Sequence, residues 1–202
     1  MTQAEERRYR EFENISNKLI EDGYRRTDLR IGIVAANIFA VVLLIVYGIV
    51  TLIAFTRINS DWDINFNGMF YVIFIVAILA LTVVHELIHG ITWAIFSENH
   101  WQDIEFGFQA KTLTPYCTCK RPLKKGQYVL GALMPMILLG IVPSVISFFT
   151  GSFMLLILGA VMFSSAAGDI MIVWKFLTHK VEGNDAVYMD HPTEPGSVVF
   201  ER

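Results

Sequence analysis

The sequence predicts an all-α membrane protein: a bundle of four transmembrane helices, preceded by a cytosolic amphipathic helix and carrying a small β-hairpin between the second and third spans. Three observations predict it. Apolar residues make up 54% of the 202-residue chain against 17% charged, and the mean hydropathy of +0.49 is too high for a soluble domain of this length. Four apolar runs are long enough to cross a bilayer. Basic residues fall almost wholly on one side of those runs.

Residues 1–30 are polar, with seven Lys or Arg and seven Asp or Glu, and no apolar core precedes a small-residue cleavage site, so this is not a signal peptide. Thr2-Gln3-Ala4-Glu5 resembles a capping box, and Tyr9, Phe12, Ile15 and Leu19 recur at helical spacing ahead of Asp22-Gly23. A short amphipathic helix follows from this pattern, either lying on the cytoplasmic membrane face or forming a partly ordered tail.

The membrane domain is expected over residues 31–177, with helices at about 31–55, 69–96, 127–149 and 152–174. The first run is interrupted only by Asn37, and the polar stretch after it holds Asp61, Asp63 and a turn-like Asn67-Gly68. Between the second and third runs, Ile104, Phe106, Phe108 and Ala110 alternate with Asp103, Glu105, Gln109 and Lys111, which is strand periodicity. A second extended piece can follow through Thr112 to Cys119, with Pro115 suggesting an edge. Such an edge could pair with an extended substrate backbone, although alternation over so few residues fits a hairpin that merely caps the bundle somewhat better. Only Thr150-Gly151 separates the last two runs, and residues 178–202 form a cytosolic tail.

Charge sets the orientation. Seven basic residues precede the first run, five (Lys111, Lys120, Arg121, Lys124, Lys125) lie in the 97–126 loop, and three (Lys175, Lys180, Arg202) lie at or after the end of the fourth. Arg57 alone is on the other side, so both termini and that loop are placed in the cytosol. Trp93, Trp101 and Trp174 then fall near the cytoplasmic interface.

The second run contains the one motif with a chemistry of its own, His85-Glu86-Leu87-Ile88-His89. Two histidines four residues apart stand one above the other on a helix, where both can reach a zinc ion, and the glutamate between them is placed to take a proton from a metal-activated water. The second and fourth helices run in the same direction, so equal offsets mean similar depths. Asp169 matches the depth of His85 and His89 and is the single charged residue inside helices 1, 3 or 4. An unpaired carboxylate there costs several kcal/mol, so it must be neutral, hydrogen-bonded or bound to a cation, and a metal held by the two histidines removes the cost. The small residues Ser164 to Gly168 would let the two helices approach.

The membrane-embedded H-E-L-I-H-G, the P-Y-C-T-C-K-R-P-L loop and the late S-A-A-G-D resemble the zincin peptidase family of small bacterial membrane proteins and, more distantly, the site-2 intramembrane zinc metalloproteases. The resemblance spans most of residues 70–175 and implies a Zn2+ cofactor on His85, His89 and Asp169, Glu86 as catalytic base, and a site near the cytosolic side. Site-2 proteases carry Asp-Gly within an Asn- and Pro-containing motif, whereas this chain has Gly168-Asp169 without them. The function this implies is zinc-dependent endopeptidase cleavage of membrane-protein or peptide segments, within the bilayer or at its surface.

Other classes fit less well. A metal-ion transporter or sensor would use ligands on several helices, and helices 1 and 3 offer neither charge nor histidine. A metzincin would need Gly and His where Thr92 and Ile95 stand, and a third ligand of the gluzincin kind could come only from Glu98 or Glu105, both in the loop. A non-catalytic relative binding transmembrane partners would not need Glu86, and five histidines are too few for a di-iron hydroxylase, with His100, His179 and His191 outside the spans as solvated residues. The sequence assigns no oxyanion donor; Asn37 and His100 are candidates, each better read as a packed or interfacial polar residue. Cys117 and Cys119 are too close in sequence to staple distant parts, and two thiols alone make a poor second metal site. With a net charge of −3 and no basic stripe, nucleic acid is not an expected partner.

Overall fold

The computed structural model describes residues 3–60, 68–109 and 114–202; Thr2 of the expected capping box, and Asp61, Asp63 and Asn67 of the first connection, lie outside them. The chain is mostly helical. Three helical stretches, Ile33–Ile58, Gly68–Phe96 and Lys125–Thr150, are long and apolar enough to span a membrane, and a bent pair, Phe153–Ser165 with Ala167–Thr178, makes a fourth if counted as one span.

The expected spans appear as α2 (Ile33–Ile58) and α3 (Gly68–Phe96), then α4 (Lys125–Pro135) and α5 (Val142–Thr150), which are joined by a π-helical turn at Met136–Ile141. Pro135 and Pro143 flank the widened turn, and neither offers an N–H to a regular helical ladder. Opposite it, α6 (Phe153–Ser165) crosses closely at Gly159, where a Cβ would stand 2.3 Å from Ser144 Oγ. The Tyr47 and Phe163 rings stack at 3.9 Å, fixing α2 against α6.

The fourth span is not the continuous helix the sequence suggests. It bends by 46° between α6 and α7 (Ala167–Thr178). Ser164 and Ser165 turn their hydroxyls back onto the Val161 and Met162 carbonyls, each at 2.8 Å, which competes with the helical ladder just before the break. Asp169 therefore lies in the first turn of a new helix.

The chain is also not all-α. The expected hairpin is present, β2 (Ile104–Gln109) antiparallel to β3 (Thr114–Cys119). A second, unexpected sheet has the order β1-β6-β5-β4, from Arg25–Arg30, Gly196–Glu201, Ala186–Asp190 and Leu123–Lys124. The segments read as a cytosolic amino-terminal segment and a cytosolic tail thus pair with each other, from Arg25 opposite Glu201 to Arg30 opposite Gly196. The edge strand β1 is held by charge: Arg25 reaches Glu182 and Glu201, each at 2.7 Å, and Arg26 reaches Glu13 of the first helix at 3.1 Å. His179 and His191 are not solvated, since His179 lies 3.0 Å from the buried Glu201 and His191 3.6 Å from Asp28.

Helix α1 (Gln3–Glu21) is amphipathic as its spacing predicts. Phe12 packs with Met189, Val198 and Phe200 while Ile15 and Leu19 flank them. Its apolar stripe is satisfied by the sheet. The main core lies where the ends of α3, α4 and α7 meet this sheet, around Trp93, Leu123, Tyr128, Phe176, Tyr188 and Val199.

Candidate metal centre

The last three turns of α3 carry the site. His85 and His89 are both buried, with ring centroids 4.8 Å apart, as an i, i+4 pair must be. The His89 Nδ1 lies 2.9 Å from the Gly131 carbonyl on α4. A carbonyl can only accept, so Nδ1 carries the proton and Nε2 keeps its lone pair for a ligand. The bend ahead of α7 turns Asp169 towards these nitrogens: Oδ2 lies 3.4 Å from His85 Nε2 and Oδ1 lies 3.5 Å from His89 Nε2.

Those separations test the fit of a metal. They are long for hydrogen bonds between such groups. Tetrahedral zinc with bonds of about 2.1 Å sets neighbouring donor atoms roughly 3.4 Å apart. The three donor atoms lie within 4.8 Å of one another, and among the described residues this is the group that could hold an ion. Two imidazole nitrogens and one carboxylate oxygen also make a donor set that suits zinc and leaves a fourth position open.

An aromatic wall backs the histidines. Trp93 stacks on His89 at 5.1 Å with 15° between planes, and its indole N–H donates to the Tyr128 carbonyl at 3.2 Å. Gly131 makes this approach feasible, because a Cβ there would stand 2.0 Å from Trp93 Nε1. One close glycine thus serves both the stacking of Trp93 and the carbonyl that orients His89.

The cluster opens into a pocket of about 260 Å³, whose lining includes Glu86 from α3, Tyr128 from α4, Pro115 to Cys117 from β3, and Asp190 from β5. The hairpin reaches it by lying against Gly90, where a Cβ would meet Phe106 Cζ at 2.5 Å and Ile104 Cγ2 at 3.0 Å. The Cys117 backbone N–H is directed at the Glu86 carboxylate. Asp190 accepts three hydrogen bonds: Oδ2 from Thr118 Oγ1 at 2.8 Å and from the Cys119 N–H at 3.0 Å, and Oδ1 from the Tyr128 hydroxyl. Burial nevertheless holds its carboxyl above the ordinary carboxylate range. Burial also raises both thiols, Cys119 to about 11 and Cys117 further, so neither is an activated nucleophile.

The structure brings His85, Glu86, His89 and Asp169 to one pocket. Among the described residues, Asn37 and His100 do not line it, and His100 sits beyond the end of α3, its Nδ1 3.0 Å from the Ala94 carbonyl. Neither Glu98 nor Glu105 belongs to the metal-capable group. Trp101 and Trp174 are exposed, but Trp93 is buried in the site. Sequence reasoning did not find Tyr128 or Asp190. For Tyr128 the available signal was its place in the first turn of the helix that carries Pro135; for Asp190 it was the short apolar run Ala186–Met189 ahead of the Pro195-Gly196 turn.

The model of one protein family, described as "Putative zincin peptidase", matches residues 78–182, from the middle of α3 to just beyond α7. No curated protein and no solved structure matches the chain. The matched segment is just over half of the sequence and contains His85, Glu86, His89 and Asp169. The chain belongs to the putative zincin peptidase family.

Proposed function

We propose that this protein is a zinc-dependent endopeptidase of the membrane, hydrolysing peptide bonds in membrane-embedded or membrane-adjacent segments. The observation that carries the reading is the convergence of His85, His89 and Asp169, whose donor atoms lie within 4.8 Å of one another, beside a glutamate that lines the same pocket. Membership of a zincin peptidase family supports it.

In this reading His85, His89 and Asp169 hold the ion. Bound zinc supplies a Lewis acid that polarises the scissile carbonyl and acidifies water. Glu86 accepts the proton of the attacking water and delivers it to the leaving amine. The Gly131 carbonyl fixes the His89 tautomer, and Trp93 excludes water from one side of the ring. The described helices and the charge asymmetry support a bacterial cell-membrane protein with cytosolic termini and a site reached from the cytosolic side. The edge of β3 enters the pocket at Pro115 to Cys117, which supports a hairpin that contributes to substrate binding beyond capping the bundle.

The test is to purify the protein in detergent, count zinc, and compare wild type with Glu86→Gln on a panel of membrane-protein substrates. Retained zinc with lost cleavage supports the peptidase. Equal cleavage by both forms sinks the role of Glu86. Zinc binding with cleavage by neither form points to the alternative, a metal-ion transporter or sensor using the same ligands.

A further inference from the structure

Along the edge of β3 that faces away from β2, the backbone alternates so that Pro115, Cys117 and Cys119 point outward. Pro115 has no N–H, the Cys117 N–H is directed at Glu86 on the pocket side, and the Cys119 N–H meets Asp190 at 3.0 Å, so this edge offers a substrate backbone the carbonyls of Pro115 and Cys117. The Asp190 carboxylate thereby occupies the place that the carbonyl of an adjoining strand would take.

Asp190 reaches this place from far away in the chain. It closes β5, 71 residues beyond Cys119, and lies outside the 78–182 segment that defines the family resemblance. Its side chain also joins the second wall of the pocket through the Tyr128 hydroxyl, and Tyr128 packs on the Trp93 that stacks on His89. One carboxylate therefore fixes β3, α4 and β5 around the metal cluster.

We propose that Asp190 is a positioning residue that ends the open edge of β3 at Cys119, fixing the register in which an extended substrate backbone lies beside Pro115 and Cys117. The inference rests on the peptidase reading. Its physical content is a matter of strand period. With Asp190 in place, an added strand stops short of Cys119. With the carboxylate gone, the Cys119 N–H becomes a further pairing point two residues along, about 6.6 Å away, and the substrate can shift by that step relative to Glu86.

Two variants separate this from a merely structural role. Asp190→Ala removes all three acceptor contacts. Asp190→Asn keeps an amide oxygen for Thr118 and the Cys119 N–H, and turns its amide towards the Tyr128 hydroxyl, whose oxygen can accept. Both are made in the full-length, zinc-loaded protein and followed by zinc content, amide hydrogen exchange and mass-spectrometric mapping of cut positions in a substrate that wild type cleaves. The expected result is unchanged zinc content, exchange in residues 114–120 faster by about 10-fold or more in Asp190→Ala alone, and new products in that variant displaced by two residues. Asp190→Asn keeps the wild-type cut position.

Unchanged exchange at 114–120 in Asp190→Ala would overturn the proposal. So would exchange that rises equally through β1, β5 and β6, or cuts confined to the wild-type position. When wild type cleaves and these results appear, the Asp190 proposal falls alone. Cleavage by none of the three forms overturns the peptidase reading together with it.

Discussion

Replacing Gly90 by alanine tests how closely the hairpin is pressed against the metal helix. A Cβ built at Gly90 stands 2.5 Å from Phe106 Cζ, 3.0 Å from Ile104 Cγ2 and 3.2 Å from Cys117 Sγ. Carbon contacts settle near 3.5–4.0 Å, so the Phe106 overlap alone is roughly 1 Å. The ring end can swing outward, but Ile104 and Cys117 are tied to the paired backbones of β2 and β3. Overpacking of this kind costs about 1–3 kcal/mol, and the gain in helix propensity returns at most about 1. A net loss of about 1–2 kcal/mol corresponds to a Tm lower by roughly 2–8 °C for a chain of this size. Gly48→Ala is the internal control: the position is helical and a Cβ there meets nothing within 4 Å, so the same substitution should leave Tm unchanged or raise it. Thermal unfolding of both variants in one detergent decides the matter. Equal Tm values for Gly90→Ala and Gly48→Ala would refute the close packing of hairpin on helix.

Further expectations follow from the same geometry. Asp169→Asn should weaken zinc binding by more than about 100-fold, beyond what outer partners of ligands usually contribute, and chelator competition reads this directly. Gly131→Ala should displace both the Trp93 stack and the carbonyl that orients His89, lowering zinc affinity about 10- to 100-fold while all three ligands remain. Asp103 is buried, which raises its carboxyl, but donors from Ser97 at 2.5 Å, Asn99 and Arg121 outweigh this and hold it below the ordinary range. Its stabilising effect is therefore complete above the ordinary carboxylate pKa of about 4 and is lost as pH falls through the depressed value; Asp103→Asn should remove that part of an acid-unfolding curve. With Cys119 raised to about 11, iodoacetamide at pH 8 should label native protein far more slowly than protein unfolded in SDS, since the thiolate fraction is about 1 in 1,000.

Much of the site was legible because helices are rigid and periodic. Spacing alone put His85 and His89 on one face, and counting residues along two parallel spans picked out Asp169, which the structure places within 3.5 Å of both. The bend at Ala166 did not spoil the depth match, because it re-aims the carboxylate without moving it far along the span. The sheet was illegible for the opposite reason. β1 reads Arg-Arg-Thr-Asp-Leu-Arg, with no apolar alternation, and its partner Glu201 lies 176 positions on, so only tertiary pairing reveals it. Asp190 was hidden with it, since an aspartate in a polar tail reads as solvated until β5 turns it inward. For α1 the apolar stripe was visible in Phe12, Ile15 and Leu19, but a stripe does not say whether lipid or protein covers it.

The order of these residues along the chain has a consequence for synthesis. His85 and His89 lie on a helix complete long before α7 emerges from the ribosome. Until Asp169 arrives there is no three-donor cluster, and until β5 folds back there is no finished wall beside β3. A half-made chain thus carries the motif without the pocket. Whatever hydrolysis the site performs is withheld from neighbouring nascent proteins until this one is nearly complete.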